Sequence, residues 1–286
     1  MSTWFITGAA RGFGLEIARQ ALERGDKVVA TARNPKAVQD ALSQYGDSLL
    51  AVALDVTDEA QARAAVEEAV QKFGTIDVLI NNAGRGLLGA VEETTDAAFR
   101  SVYDTNVFGL ANVTRAVLPV MRRRRSGRIL NVSAVGGFSS VAGFGVYCST
   151  KFAVEGLSEA LRAELAPLGI QVTVVEPGYF RTDFLDATSL HTEDQVISDY
   201  AATAGAVRQA VPGLNHAQPG DPVKGARAIL VLADAANPPV RAQLGGDCLA
   251  EMDRKIAYLR EETDAWRELA LSTDHDDVKG AVRPAA

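Results

Sequence analysis

Short apolar segments alternate with longer amphipathic segments over the first 175 residues, and this alternation restricts the possible folds more than any other feature. Six segments rich in Val, Ile and Leu are typical of strands buried on both faces: 4–7, 27–31, 49–54, 77–80, 128–132 and 171–175. The segments between them have the apolar spacing of helices. Strands that alternate with helices predict an α/β fold with a Rossmann-like, doubly wound parallel sheet covered on both faces.

The chain of 286 residues has no internal repeat and no linker rich in Pro and Gly, which predicts a single domain over 1–286. The alternation breaks once, after Pro177 and Gly178. Residues 179–220 then form a long excursion with only patchy helical pattern. Long irregular segments in a compact domain are usually functional or disordered, so we expect 179–220 to be a lid over a ligand.

The C-terminal part is predicted to return to regular structure. We expect a helix to begin near Asp221, a last edge strand over 241–245, and a helix that Asp247 caps and that ends near Leu271. The region 247–286 would thus hold the C-terminal helix and a frayed tail.

Charge and cysteine content exclude several classes of protein. The 29 basic and 36 acidic residues give a net charge of −7, which provides no cationic field for nucleic acid or an anionic membrane. The four arginines of 122–125 fit the end of a helix, where they complement its dipole. Cys148 and Cys248 are too few for a disulfide framework, and the N-terminus has no signal-peptide pattern. We therefore expect a cytoplasmic protein with no nucleic-acid or membrane partner.

The first predicted strand runs into a glycine-rich turn that is followed by a helix. Gly8, Gly12 and Gly14 permit a tight turn and a close approach of the backbone to a ligand, and the following helix N-terminus favours an anion. The spacing Gly-x-x-x-Gly-x-Gly departs from the general dinucleotide-binding pattern. A purely structural role for these glycines is the alternative.

Two arginines favour NADP(H) over NAD(H) as the ligand of this turn. An acidic residue at the end of the second strand would bind the ribose of NAD, whereas an arginine suits the phosphate of NADP. The chain has Ala32 and Arg33 there, and Arg11 lies within the glycine turn. Each arginine alone is compatible with a solvated surface charge.

Tyr147 and Lys151 lie four residues apart, so a helix places both side chains on one face. A nearby ammonium favours the phenolate and moves the pKa of a tyrosine toward a value that suits proton transfer. Asn106 lies in an amphipathic segment, and Ser133 directly follows a predicted strand.

The full set resembles the short-chain dehydrogenase/reductase family from residue 3 to about 250. The resemblance rests on motifs in the order and near the spacing of that family: 7–14, Asp55, 81–84, Asn106, Ser133, Tyr147 with Lys151, and 177–178 followed by Thr182. It implies a single domain with a sheet of about seven strands that binds NAD(P) and interconverts alcohols with ketones or aldehydes. The chain looks similar to the branch of this family that contains hydroxysteroid and retinol dehydrogenases.

The resemblance also implies the catalytic roles. Tyr147 would be the general acid in reduction and the base in oxidation, and Ser133 would hold the substrate oxygen against it. Lys151 would lower the pKa of Tyr147 and bind the nicotinamide ribose. Asn106 would hold a water that links Lys151 to solvent.

The implied cofactor contacts are spread over the same motifs. Gly8, Arg11, Gly12, Phe13 and Gly14 would line the pyrophosphate and ribose, with Arg33 at the 2′-phosphate. The remaining implied contacts are Asp55 and Val56 at the adenine, Asn82, Ala83 and Gly84 at the adenosine ribose, and Tyr147, Lys151, Pro177, Gly178 and Thr182 around the nicotinamide. Alternatively, Asp55 caps the next helix, for which Asp58 is the better candidate, and Asn81 and Asn82 are simple turn residues.

Apolar residues near these groups suit a small hydrophobic carbonyl or alcohol substrate. They are Leu87, Phe138, Phe144, Tyr179 and Phe184. Packing inside the lid is the alternative for each of them.

Other functions remain possible from the sequence. One is a catalytically silent NADP-sensing protein, and another is an epimerase or dehydratase of the wider superfamily. No metal site is expected, because the histidines lack ligand spacing. We predict a homodimer or homotetramer paired through the helices over 98–122 and 147–165, whose apolar residues exceed what one sheet face covers.

Overall fold

Seven parallel strands form the central sheet of the computed structural model, which describes residues 1–275. The strands of the described part are β1 (Thr3–Ile6), β2 (Lys27–Ala32), β3 (Leu49–Ala53), β4 (Val78–Asn81), β5 (Gly86–Leu88), β6 (Gly127–Val132), β7 (Ile170–Pro177), β8 (Leu190–Thr192) and β9 (Arg241–Leu244). The order across the large sheet is β3-β2-β1-β4-β6-β7-β9. The strand order reverses between β1 and β4, where a doubly wound sheet opens a crevice for ligands. The predicted fold class is confirmed.

Helices cover both faces of this sheet. The α-helices of the described part are α1 (Gly12–Glu23), α2 (Pro35–Leu42), α3 (Glu59–Phe73), α4 (Asp96–Tyr103), α5 (Leu110–Arg124), α6 (Gly145–Leu165), α7 (Ala206–Leu214), α8 (Pro222–Asp234), α9 (Gly246–Ala265) and α10 (Arg267–Leu271). Helices α1, α2 and α8 pack on one face, and α3 and α5 pack on the other. Within residues 1–275, no helix is long and apolar enough to cross a membrane.

The strands alternate their side chains between two hydrophobic clusters. Trp4 and Ile6 of β1 join the cluster under α1 and α8, whereas Phe5 joins the one under α3 and α5. All three side chains are fully buried. Because both faces of each strand are buried, the strands read in the sequence as continuous apolar runs.

The lid, residues 179–220, is more regular than the sequence predicts. Its strand β8 pairs in parallel with β5 in a second, two-stranded sheet, and its helix α7 carries Arg208. The two ends of the lid meet at a bridge between Phe180 and Gly220, where the N–H of Arg181 donates to the Gly220 carbonyl at 2.9 Å. These contacts join residues that are distant in the chain, so no local sequence pattern predicts them.

Two details of the predicted elements differ in the structure, and one is as predicted. The helix expected over 98–122 is divided by a π-helical segment over Asp104–Gly109, so α4 and α5 are separate. Asp221 caps α8 as expected, through the N–H groups of Val223 and Lys224. Asp247 does not cap α9; its carboxylate accepts a hydrogen bond from the N–H of Tyr179 instead. Most of the predicted frayed tail, residues 276–286, lies outside the described residues.

Candidate active site

The predicted site residues gather at the carboxyl edge of the sheet, beside the reversal in strand order. The glycine turn follows β1, residues 82–84 follow β4, Ser133 follows β6, and Pro177 ends β7. This is the edge at which open parallel sheets bind ligands.

The glycine turn is pressed so closely against its surroundings that side chains would not fit. Gly8 and Gly12 have positive φ angles of 66° and 54°. A Cβ on Gly14 would lie 2.4 Å from the Gly8 carbonyl oxygen and 2.6 Å from Asn82 Nδ2. The turn therefore presents bare backbone at the N-terminus of α1, an arrangement that suits a phosphate group.

Residues 82–84 fasten the glycine turn to β4. The Asn82 amide donates to the carbonyl oxygens of Thr7 and Gly8 at 3.0 and 3.2 Å. The Thr7 hydroxyl accepts hydrogen bonds from the N–H groups of Asn82 and Ala83, both at 2.9 Å. In the structure Asn82 therefore shapes the turn, and Asn81 lies buried against Thr114 and Asn131.

Arg33, Asp55 and Val56, which were predicted to contact the adenosine half of the cofactor, differ from one another in burial and hydrogen bonding. Arg33 is exposed and makes no hydrogen bond or ion pair within the described residues, and the neighbouring Ala32 is buried. Asp55 accepts hydrogen bonds from the N–H and hydroxyl of Thr57, so it holds its own loop. Asp58, rather than Asp55, caps α3. Buried Val56 packs against Gly109 of the π-helical segment.

Arg11 contacts the lid. Its guanidinium donates to the hydroxyl of Thr188 at 2.5 Å, to the Thr188 carbonyl at 3.1 Å and to the hydroxyl of Ser189 at 2.7 Å. Thr182 lies over the turn as well, because its Cβ is 3.6 Å from where a Cβ of Gly12 would be. Phe13 and Phe180 pack with ring centres 4.9 Å apart. The first part of the lid thus covers the glycine turn.

Helix α6 brings Tyr147 and Lys151 together in a buried position. Lys151 Nζ lies 5.8 Å from the centre of the Tyr147 ring and donates to the Val132 carbonyl at 2.9 Å. A Cβ on Gly84 would lie 3.7 Å from Lys151 Nζ and 3.4 Å from Asn106 Oδ1. Three of the other predicted residues, Tyr147, Gly84 and Asn106, therefore lie around the ammonium of Lys151.

Burial determines the pKa values of this pair. It raises the pKa of Tyr147 above its ordinary value, with smaller contributions from Cys148 and Tyr179. It lowers the pKa of Lys151 to about 8, against a small opposite effect of Glu155. The ammonium of Lys151 is expected to act in the direction opposite to burial, and its lowering of the Tyr147 pKa stays a prediction.

Asn106 lies in the π-helical segment, a type of irregularity found often at functional sites. Its Oδ1 accepts from the N–H of Arg85 at 2.9 Å, and its Nδ2 donates to the Arg85 carbonyl and to the Thr150 hydroxyl, both at 3.0 Å. The side chain thus holds the loop after Gly84 and the helix of Lys151 in fixed relation.

Ser133 is buried, and its hydroxyl has no hydrogen-bond partner in the described residues. A Cβ on Gly137 would lie 2.4 Å from Ser133 Oγ and 3.0 Å from Glu155 Oε1, so both oxygens face this glycine. Buried polar groups are normally paired. The Ser133 hydroxyl thus lies beside the Glu155 carboxylate, and its interaction there lowers the pKa of Glu155 against the larger effect of burial.

Glu155 was not predicted from the sequence, and it belongs to a buried ionic group behind Ser133. Arg241 donates to Glu155 Oε2 at 3.0 Å and to Glu159 at 2.7 Å, and its Nε lies 3.4 Å from Glu176. Burial raises the pKa of Glu155 to about 7, and the neighbouring Glu176 carboxylate adds to this. Only the short i, i+4 spacing from Lys151 marks Glu155 in the sequence.

Part of the predicted substrate pocket converges on Tyr147. Leu87 and Phe144 share a buried cluster with Tyr147, and Phe184 packs on its edge with ring centres 5.4 Å apart. Phe138 is partly buried and Tyr179 is 42% exposed, and both lie outside this cluster.

Buried Glu93, also not predicted, fixes the lid to the loop after β5. It accepts hydrogen bonds from the N–H groups of Ala90 and Ile197 at 2.8 and 2.9 Å and pairs with Arg208 of α7. No metal site is expected from the sequence. In the lid, however, possible ligand atoms of Asp183, Asp186 and His216 lie within 4.8 Å of one another. Asp186 there already accepts hydrogen bonds from Asn215 and His216.

The chain is similar in sequence to proteins of one known family. Residues 2–193 match the pattern of the family described as short chain dehydrogenase. Oxidoreductase BOA17 of Botryotinia fuckeliana is 39% identical over 271 residues, covering 94% of this chain and 98% of BOA17. Retinol dehydrogenase 16 of Rattus norvegicus is 38% identical over 215 residues, covering 74% of this chain and 66% of the rat protein.

Solved structures extend the comparison to the fold and the nucleotide. A short-chain dehydrogenase from Streptomyces avermitilis superposes with a TM-score of 0.90 at 41% identity, covering 96% of this chain and 99% of that one. ElxO with NADP bound has a TM-score of 0.72 and 28% identity, covering 87% and 99%. A 3-ketoacyl-(acyl-carrier-protein) reductase from Brucella melitensis complexed with NADH has values of 0.73 and 29%, covering 86% and 98%. Structural neighbours thus bind either nicotinamide cofactor.

Proposed function

This chain belongs to the short-chain dehydrogenase family and is an oxidoreductase, and we propose that it interconverts a hydrophobic ketone or aldehyde and its alcohol with NADP(H). The observation that carries the proposal is the placement of Tyr147, Lys151 and Ser133 at the ligand-binding edge of the sheet, with Lys151 Nζ close to the Tyr147 ring. A proton donor, a positive charge and an oxygen-binding hydroxyl are what carbonyl reduction requires of a protein.

The residues present fit a nicotinamide dinucleotide. The backbone cradle of Gly8, Gly12 and Gly14, which side chains would fill, suits the pyrophosphate. Residues 82–84, Asp55 with Val56, and 177–182 would border the remaining parts of the cofactor. When bound there, the reduced nicotinamide supplies the hydride that adds to the carbonyl carbon.

Tyr147 supplies the proton in this proposal. As the new C–H bond forms at the carbonyl carbon, the Tyr147 hydroxyl transfers its proton to the carbonyl oxygen, and the product is the alcohol. The Tyr147 hydroxyl is protonated at neutral pH, as proton donation in the direction of reduction requires. Ser133 donates a hydrogen bond to the same oxygen and holds the carbonyl in place.

Lys151 provides positive charge next to the phenol and binds the nicotinamide ribose. Its ammonium stabilises the phenolate that remains after proton transfer, which then has to be reprotonated from solvent. Asn106 positions this ammonium through Arg85 and Thr150. A water on the main chain of Asn106 would complete the proton path.

The preference for NADP(H) rests on Arg33 and Ala32. Arg33 is exposed and free of partners in the described part of the chain, and Ala32 brings no carboxylate to repel a 2′-phosphate. Arg11 donates its hydrogen bonds to Thr188 and Ser189. It would contribute to NADP(H) binding either by giving up these bonds or by contacting the 2′-phosphate while it keeps them.

The substrate pocket is proposed to be the apolar cluster around Tyr147. Leu87, Phe144 and Phe184 bound it, and the lid closes it over the substrate. Such walls favour an uncharged hydrophobic carbonyl compound. Pairing of two copies through the surface of α5 and α6 remains our proposal for the oligomer, supported by the exposed Phe108, Phe152 and Leu157.

The test is the loss of NADPH absorbance with a panel of hydrophobic ketones and aldehydes, run beside NADH. Turnover of a ketone with stoichiometric alcohol formation supports the reductase. Tight NADPH binding without turnover on any compound would instead indicate a nucleotide sensor. Product isomerisation or dehydration without net consumption of NADPH would indicate an epimerase or dehydratase.

A further inference from the structure

Helix α9 begins against the domain and then leaves it. Its first turn is anchored by buried Cys248, whose thiol donates to the Glu176 carbonyl at 3.1 Å, and by Glu251, which accepts from the Ser139 hydroxyl. Beyond Met252, every residue up to His275 is exposed except the partly buried Lys255. The helix therefore extends into solvent with no other described part of the chain packed along it.

This projecting helix carries a heptad pattern of apolar residues. Leu249, Met252, Ile256, Leu259, Thr263 and Trp266 follow one another at alternating intervals of three and four residues. Leu249, Ile256, Leu259 and Trp266 are 53%, 51%, 42% and 66% exposed. An interval of 3.5 residues on average places the five side chains from Leu249 to Thr263 in one seam along about 21 Å of helix, and Trp266 follows at the C-terminal cap of α9.

Exposure of such a seam is unfavourable for a single copy of the chain. Contiguous apolar patches on monomers usually mark interaction sites, and isolated helices of this length are only marginally stable in water. The repeat of 3.5 residues is specific for another helix as the partner, because it keeps a seam facing a neighbour along its length.

We propose that α9 pairs with α9 of a second copy of this chain, in an antiparallel arrangement about a two-fold axis. The axis passes between the levels of Ile256 and Leu259, so Ile256 faces Leu259 of the second copy. Met252 then lies opposite Thr263 of the second copy. The two kinds of seam position alternate across an antiparallel interface, so each side chain packs between side chains of the other helix.

The charges beside the seam favour the antiparallel direction. In that arrangement Asp253 faces Arg260 of the second copy, and Lys255 faces Glu262. The two-fold axis makes each of these attractive pairs twice. A parallel pair would instead place Lys255 beside Arg260 twice, and both contacts are repulsive.

Disulfide trapping distinguishes the two directions. We expect a mixture of Ile256→Cys and Leu259→Cys to give a mixed disulfide, whereas Ile256→Cys alone does not cross-link. Those two positions lie opposite each other in the antiparallel pair only. The unmodified chain is the control for Cys148 and Cys248, which are both buried. Self-cross-linking of Ile256→Cys, without the mixed product, would overturn the antiparallel pair.

Mass measurement by light scattering tests the interface independently. The double variant Ile256→Asp, Leu259→Asp should have half the mass of the parent, with NADPH-binding affinity kept as proof of the folded domain. Arg260→Asp should raise the dissociation constant of the pair about tenfold or more, and the added Asp253→Arg should reverse that loss. A monomeric parent, or an unchanged mass in the double variant, would overturn the proposal. Pairing through α5 and α6 alone is the outcome that the unchanged mass would reveal.

Discussion

Lys151 Nζ lies 5.8 Å from the centre of the Tyr147 ring, and both side chains are buried at the carboxyl edge of the sheet. Their proximity is fixed by α6, in which they are four residues apart, and by the hydrogen bond from Lys151 to the Val132 carbonyl. The pair couples a group that can give up a proton to a charge that stabilises the anion left behind.

Replacement of Tyr147 by Phe should remove activity without disturbing the site. The ring keeps its packing against Phe144 and Phe184, but the transferable proton is gone. We expect kcat to fall by about 10²–10⁴-fold, the usual contribution of a general acid, with the dissociation constant of NADPH nearly unchanged. Steady-state kinetics and NADPH titration measure both. Retention of more than a tenth of the parent kcat would show that another group donates the proton.

The pH profile of reduction should report the ammonium of Lys151. Burial lowers the pKa of Lys151 to about 8, so the side chain is charged below that pH and neutral above it. We expect kcat/KM for reduction to decline as pH rises through about 8, because kcat/KM follows the groups of the free enzyme. In Lys151→Arg the charge persists, and any remaining activity should lose this decline. The same decline in the Arg variant would assign it to another group.

Glu155 should make the stability of the protein depend on pH. Its folded pKa of about 7 lies above the ordinary value of 4.5, so between these values the folded protein binds more protons than the unfolded chain. The contribution of Glu155 to stability is therefore present at acidic pH and is lost as pH rises toward about 7. We expect Glu155→Gln to reduce the fall in Tm between about pH 5 and pH 8.

The matched control for this variant is Glu159→Gln. Glu159 also binds Arg241, but its side chain is 54% exposed. It should leave the pH dependence of Tm as in the parent. Equal effects of the two substitutions would show that the loss of a carboxylate paired with Arg241, rather than burial of Glu155, governs the change.

The sheet could be predicted from the sequence because its strands are buried on both faces. Trp4, Phe5 and Ile6 read as one apolar run, whichever cluster each side chain enters. The lid could not be predicted in this way, because its fixed points join distant residues. Glu93 and Arg208 are 115 positions apart, and neither has a local pattern that indicates the other.

The site was predictable only in its residue types and order. Tyr147 and Lys151 share a helix, so their spacing alone implies their proximity. That spacing does not show how deeply the pair is buried, and burial is what raises the pKa of Tyr147 in the structure. Asp247 was mistaken for a helix cap because the sequence does not show that β9 and β7 bring Tyr179 within reach of its carboxylate.

The lid should open locally when its anchor is weakened. Glu93→Gln keeps the shape of the side chain but removes its negative charge. That charge pairs with Arg208 and makes the hydrogen bond from the Ile197 N–H stronger than a neutral acceptor would. We expect faster hydrogen exchange in 195–214 with the large sheet unchanged, and slower exchange in 179–220 of the parent when NADP binds. Glu92→Gln, at an exposed partner of Tyr200, is the control. Unchanged exchange in Glu93→Gln would mean that β5 and β8 hold the lid by themselves.

The preference for NADPH over NADH should depend on Arg33. A charge-assisted hydrogen bond to the 2′-phosphate contributes about 1.5–3 kcal/mol, and about 1.4 kcal/mol corresponds to a tenfold change in affinity. One good contact from exposed Arg33 therefore predicts at least about tenfold higher kcat/KM with NADPH, although solvent reduces the full effect. The double change Ala32→Asp, Arg33→Ala should reverse the preference, because the carboxylate accepts from the ribose hydroxyls of NADH and repels the phosphate of NADPH. Arg11→Ala tests the second arginine separately: if Arg11 stays on Thr188 and Ser189 in the complex, the NADPH preference should survive this change. Equal kcat/KM with the two cofactors in the parent, measured with one saturating ketone, would show that Arg33 stays in solvent, and the assignment of NADP(H) would fall while that of an oxidoreductase would stand.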